Sequence, residues 1–253
     1  MMQYMLTPAA GKRLIARALA SYPPLVGAMR EATVVIVAGT TNAYVAQECL
    51  RILGQEEGFR PETFMRGVTT PAVNEGKMLV TGGTTYDVVI RRGTWLRERT
   101  LFDVAGELRE GDIILKGANA INRETGRAGI FIAHPQGGTT LTLLQAVVGR
   151  RVRLIIPAGL EKRVEEDVDT LAAAANAPGS EGLRMMPVSG EIITEIEAID
   201  LLTGAKARLL AGGGVGGAEG ALWLLLDGDP PRLEKTRKIL DEVAAEPLFP
   251  LSL

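Results

Sequence analysis

Among its 253 residues the chain has a single cysteine, Cys49, and a single histidine, His134. One thiol forms no intramolecular disulfide, and one imidazole with one thiol builds no Cys/His metal cluster, so no metal is expected. That usage fits a reducing, cytoplasmic setting. Charge of one sign is also lacking: 28 basic residues face 30 acidic ones, for a net charge of -2. No global field therefore draws the chain to nucleic acid or to an anionic membrane. Long apolar runs are missing as well, since stretches such as Ala221 to Leu226 fall far below the ~20 residues that span a bilayer. The first twenty residues scatter Lys12, Arg13 and Arg17 among apolar positions, unlike a secretory signal. Neither a membrane nor a nucleic-acid partner is expected.

What is present is a 46% hydrophobic, 23% charged composition, which excludes disorder, together with 30 glycines. Most glycines stand singly or in pairs after short β-branched runs, the pattern of loops at strand ends. Thr33 to Ala38 reads as a strand, and Asn42 to Leu53 as the helix that follows; Thr7 to Ser21 carries an apolar stripe at helical spacing. Short strands are expected at 64–67, 77–80, 86–91 and 93–96, the last two as a hairpin around Arg92-Gly93. Leu101 to Glu110 reads as a weak helix and Ile113 to Lys116 as a strand. A strand over 129–133, a helix over 139–148, a strand over 152–156 and a helix over 164–176 complete an alternating series. The fold class is therefore α/β, a mostly parallel sheet with helices on both faces. Beyond Asn176, Pro178 and Gly179 the order strand (183–188), helix (191–202), strand (205–210), strand (219–226), helix (232–243) suggests a small α+β, ferredoxin-like subdomain. The expected division is 1–178 and 179–253.

In such sheets ligands bind beyond the carboxyl ends of the parallel strands, so the loops after Ala38, Lys116 and Ala133 are expected to share one crevice. Gly-Thr-Thr units recur: Gly39-Thr40-Thr41-Asn42, Gly67-Val68-Thr69-Thr70, Gly83-Thr84-Thr85 and Gly137-Gly138-Thr139-Thr140. At a helix start, glycine allows close backbone approach, free amides point outward and threonine hydroxyls add donors, which suits phosphate or carboxylate. The plainer alternative is that threonine caps the helix and glycine turns the chain. His134, directly before Pro135-Gln136-Gly137-Gly138, either moves a proton or serves as a structural hydrogen-bond former. Lys116 either pairs an anion or is a solvated rim lysine, and Asn119 either holds a turn or reaches a hydroxyl-rich ligand. Gly212 to Gly217 matches the dinucleotide glycine spacing, but Arg232 stands where an acid is needed and a strand follows, so a glycine hairpin is expected. Walker and Gly-x-Ser-x-Gly patterns are absent, and no cofactor is implied.

The order of these loops resembles A-type ribose-5-phosphate isomerase and its wider superfamily, which includes glucosamine-phosphate deaminase and CoA-transferase-like proteins. Ala38 to Asn42 is similar to that family's Gly-Thr-Gly-Ser-Thr phosphate loop, and Gly67 to Pro71 to its Gly-Val-Pro-Thr-Ser. Gly117-Ala118-Asn119 matches Gly-Ala-Asp, and His134 to Gly138 matches Lys-Gly-Gly-Gly-Gly. The resemblance implies a pocket formed by Gly39, Thr40, Thr41, Asn42, Thr69, Thr70, Asn119, His134, Gln136, Gly137, Gly138 and Thr139. It also puts Asn119 at the family's catalytic Asp, His134 on or near its Lys, and Thr142 or Leu143 near its Glu. Asn and Thr are no bases at neutral pH, so efficient pentose-phosphate isomerisation is not expected. The expectation is a binder of a small phosphorylated or carboxylated metabolite, of the sugar-phosphate, nucleotide or CoA-ester class. Isomerase- or transferase-like chemistry on it, with His134 or Lys116 as catalytic group, remains open. A non-catalytic sensor or scaffold is the alternative, and a homo-oligomer a third.

Overall fold

Strand β2 (Thr33–Ile36) is buried along its whole length, as a run of Thr-Val-Val-Ile must be when both faces of a strand are covered. The computed structural model describes residues 1–66, 69 and 86–249. Around β2 lie β5 (Ile113–Leu115), β8 (Arg153–Pro157) and β10 (Glu191–Ile193), all parallel, and the hairpin β3 (Val88–Arg91) and β4 (Thr94–Leu96), antiparallel. The sheet order is β10-β8-β5-β2-β3-β4. This is the α/β architecture expected, and the hairpin turns where it should: Arg92 and Gly93 both have positive φ, 48° and 81°.

Alternation along the strands separates two apolar clusters. Val34, Ile36, Ile113, Leu115 and Ile193 join Leu14, Leu19, Ala43, Ala46 and Ile199 in one. These come from α1 (Pro8–Ser21), α3 (Thr40–Ile52) and α7 (Glu195–Thr203). Val35, Ile114, Leu154 and Ile156 join Leu101, Val104, Leu143 and Ala146 in the other, from α4 (Leu101–Val104) and α5 (Gly138–Arg150). Each such aliphatic side chain contributes about 1.5–3 kcal/mol by leaving water.

Several boundaries differ from those the sequence suggests. The expected helix over 101–110 is only α4, because Gly106 and Gly111 interrupt its period. Phe64 follows a 3-10 turn at Pro61–Thr63 where a strand was expected, and 77–80 lies outside the described residues. The helix expected over 191–202 divides into β10 and α7, and Thr194 caps the latter with a reciprocal Glu197 bond. Helix α6 (Val168–Ala175) starts later than expected, at an Asp167 cap. Helix α2 (Pro23–Glu31) and strand β1 (Met2–Leu6) were not foreseen.

The segment after residue 179 does not form a sheet of its own. Strand β9 (Arg184–Ser189) pairs with β7 (Arg127–Ile132), which also pairs with β6 (Ala120–Asn122). Strand β10 extends the main sheet. Strand β12 (Leu222–Asp227) lies between β11 (Lys206–Gly212) and β1, antiparallel to both, before the closing helix α8 (Pro230–Ala244). The composition break near Pro178 is thus a loop, and the later strands are shared among three sheets. The glycine run is the hairpin loop between β11 and β12, closed by Gly213 N donating to Ala221 O at 2.9 Å.

Candidate functional site

At the carboxyl ends of β2 and β5 lies a cavity of about 300 Å³. It is lined by Ala38, Gly39, Thr40, Thr41 and Asn42 on one side and Lys116, Gly117, Ala118 and Asn119 on another. Lys12, Arg66, Thr69, Lys162 and Phe249 complete the wall. The two loops meet because β2 and β5 are adjacent and parallel, in register from Val34–Ile113 to Ile36–Leu115.

Helix α3 enters the cavity wall with its first turn. Its first backbone amides have no intrahelical acceptor, and no side chain caps them. Elsewhere Thr7, Asp167, Thr194 and Asp229 cap α1, α6, α7 and α8 with their side chains, while α2 and α5, like α3, start without one. The idea that Thr40 or Thr41 merely caps the helix is therefore not what the geometry shows. Thr41 is 2% exposed and its hydroxyl has no hydrogen-bond partner among the described residues. Asn42 turns the other way: its side-chain amide donates to Val37 O at 2.7 Å and to Leu115 O at 3.0 Å.

Asp87, which sequence reasoning did not single out, holds the loop from behind. Its buried carboxylate accepts the backbone amides of Ala38 at 2.9 Å and Leu101 at 2.8 Å, and lies 3.3 Å from Arg66. The signal available was an acid at the start of the β-branched run Val88-Val89-Ile90.

Three lysines converge on the cavity from different elements: Lys12 from the second turn of α1, Lys116 from the end of β5 and Lys162 from a 3-10 turn at Leu160–Lys162. Among the described residues none of the three makes an ion pair. Arg13, Arg17, Arg127 and Arg153, by contrast, each have a carboxylate at 2.6–2.7 Å. Burial and the charge of Lys162 push Lys12 down, against the pull of Glu161 and Glu195. Burial, with Arg66 and Lys162, pushes Lys116 down to about 8, opposed by Asp87. Glu195 is buried at the start of α7, where it accepts the Leu160 amide at 2.9 Å. Burial and neighbouring Glu161 push it up to about 8.

Of the residues expected at the site, Gly39, Thr40, Thr41, Asn42, Thr69, Lys116 and Asn119 line this cavity. Asn119 also holds its own turn, its Oδ1 accepting Phe131 N at 2.9 Å. Thr70, Gly67 and Val68 lie outside the described residues. His134, Gln136, Gly137, Gly138 and Thr139 are not part of the lining. The expectation that all these loops share a crevice treated β7 as a strand of the parallel sheet. It pairs antiparallel in the separate β6-β7-β9 sheet, so its end leads elsewhere. His134 is exposed and its Nδ1 accepts the Gln136 amide at 3.1 Å, a turn-forming bond. Lys12, Arg66 and Lys162 were missed, because none of them lies inside a Gly-Thr-Thr unit.

Among the described residues no group of three or more His, Cys, Asp or Glu side chains is arranged to hold a metal ion. No helix among them is long and apolar enough to cross a membrane. Comparison with known proteins gives no match to a family model, to a curated protein or to a solved structure.

Proposed function

We propose that the cavity binds a small phosphorylated or carboxylated metabolite. The observation that carries this reading is the convergence of Lys12, Lys116 and Lys162, without ion-pair partners among the described residues, on the uncapped start of α3. Like charges gathered in a half-buried space raise one another's free energy, and a bound anion reverses the sign of that term. The helix start adds a partial positive charge worth about 0.3–1 kcal/mol to an anion, and more when partly buried. Thr41 supplies a hydroxyl that is buried and otherwise unused. The cavity volume, about 300 Å³, suits a ligand of sugar-phosphate size.

A thermal-shift screen over inorganic phosphate, sugar phosphates, nucleotides, CoA esters and small carboxylates tests the proposal. A ligand at 100 times its dissociation constant stabilises by about 2.7 kcal/mol, an easily read shift. Stabilisation by anionic members, reduced by replacing Lys12 or Lys162 with Gln, is the expected result. No shift with any anion, or shifts indifferent to both replacements, would overturn it.

A further inference from the structure

We propose that Lys116 is the reacting amine of the cavity, condensing with an aldehyde or ketone group of the metabolite whose anionic group the other cations hold. This deepens the anion-binding reading and rests on it. Lys12 and Lys162 reach the cavity from a helix and a 3-10 turn, whereas Lys116 directly follows β5, a central strand bonded on both sides, to β2 and to β8. Its backbone amide donates to Ile155 O at 3.1 Å, so its Cα is set by the sheet. A group carried on a rigid element keeps the placement that bond formation needs.

The surroundings favour the neutral amine. Burial of the ammonium is the largest influence on Lys116, Arg66 and Lys162 act in the same direction, and Asp87 opposes them. With Lys116 pushed down to about 8, a far larger share of it is free amine near neutral pH than of an ordinary lysine. The unprotonated form is the nucleophile, and desolvated lysines near other cations are the ones that form Schiff bases. Lys12 and Lys162 remain to neutralise the anion, with the Thr41 hydroxyl as a neutral donor to it, which keeps that charge from drawing the Lys116 proton back.

In the proposed step the Nζ lone pair attacks the carbonyl carbon and a C–N bond forms. The carbonyl π pair moves to oxygen, which takes up a proton as nitrogen gives one up, and a carbinolamine results. Protonation of its hydroxyl and loss of water leave a C=N iminium on Lys116. No electrons change hands and no co-reactant is required. The iminium then withdraws electrons from the adjacent carbon, the general basis for proton loss or carbon–carbon cleavage there.

Pyridoxal 5′-phosphate serves as a phosphorylated aldehyde probe. The whole protein is incubated with it across a pH series, reduced with borohydride, digested and mapped by mass spectrometry, with and without excess inorganic phosphate. The expected result is one adduct per chain, on Lys116, half-maximal near pH 8, suppressed by phosphate and absent from Lys116→Arg. Labelling spread over exposed lysines such as Lys206 and Lys238, or concentrated on Lys12 or Lys162, overturns the assignment of Lys116. If phosphate still stabilises the protein in that case, the anion-binding reading survives. If phosphate neither stabilises the protein nor suppresses labelling, that reading fails, and the reacting amine fails with it. Adduct mapping on the parent protein decides between these outcomes even where the Arg variant does not fold.

Discussion

The side-chain amide of Asn42 donates to the backbone carbonyl of Leu115 at 3.0 Å, tying the first turn of α3 to the strand end from which Lys116 projects. Its second donation, to Val37 O at 2.7 Å, fastens the same turn to the end of the neighbouring strand. Asn42 is 1% exposed, and its nitrogen is committed to the backbone on both counts. It therefore sets the spacing between the two walls of the cavity.

Asn42→Ala removes two buried hydrogen bonds and leaves a small void. The expected loss is about 2–3 kcal/mol of stability, which lowers Tm by roughly 5–10 °C in a chain of this size. Denaturant and thermal unfolding check the value.

Thr41→Val keeps the side-chain shape and deletes a hydroxyl that has no partner among the described residues. Stability is expected to hold or rise slightly, since an unsatisfied polar group is lost. Phosphate binding is expected to weaken by about tenfold, the loss of roughly 1.4 kcal/mol of hydrogen bonding to an anion. Calorimetry on both forms distinguishes this from a hydroxyl that only shapes the turn, for which the two affinities would be equal.

Lys162→Gln removes a like charge that acts on both Lys116 and Lys12. Both lysines are expected to titrate higher in the variant, since less repulsion opposes their charged forms. The half-maximal pH for reductive labelling of Lys116 should therefore move upward from about 8. An unchanged midpoint would show that Lys162 has no effective contact with that charge.

Glu195 predicts a pH dependence of stability with a definite sign. Its ordinary value is 4.5, and the folded protein raises it to about 8. Between those values the folded state holds a proton that the unfolded state has released, so stability falls as pH rises from about 4.5 to about 8. Glu195→Gln keeps an acceptor for the Leu160 amide and removes the ionisation, and its Tm should be flatter across that window. A parent protein whose Tm rises steadily from pH 5 to about pH 8, with the Gln variant parallel to it, would contradict this assignment.

How far this was legible varies from element to element. The β2-α3 unit could be read directly, because Thr33 to Val37 is β-branched almost throughout and Gly39 punctuates it. From that unit follow Gly39, Thr40 and Thr41 at the cavity. The β10-α7 junction was also written in the chain, as Thr194-Glu195-Ile196-Glu197, a capping box behind a β-branched pair, but helical periodicity across 191–202 obscured it. Strand β7 was found, but its pairing was not, since an alternating run is silent about which neighbour it will join. Lys12 and Lys162 could not be matched to the site locally: one follows a capping threonine, the other a strand, and only α1 packing against α7 and the turn after β8 brings them near. Asp87 is the same kind of case, a carboxylate whose role is to hold amides contributed by two distant loops.

The pairing of Leu6 with Leu222 sets a clock on synthesis. Helix α1, which carries Lys12, begins directly after β1, yet the strand against which β1 lies is made about 200 residues later. At 5–20 residues per second that is a delay of roughly 10–40 s, during which the nascent β1 has no sheet to join. The loops at Gly39 and Lys116 belong to strands that can pair well before then. Helix α1 can pack on α3 well before that, so Lys12 does not wait for β12, but a nascent chain arrested short of β12 would carry β1 as an unpaired strand directly ahead of the helix that holds this cation.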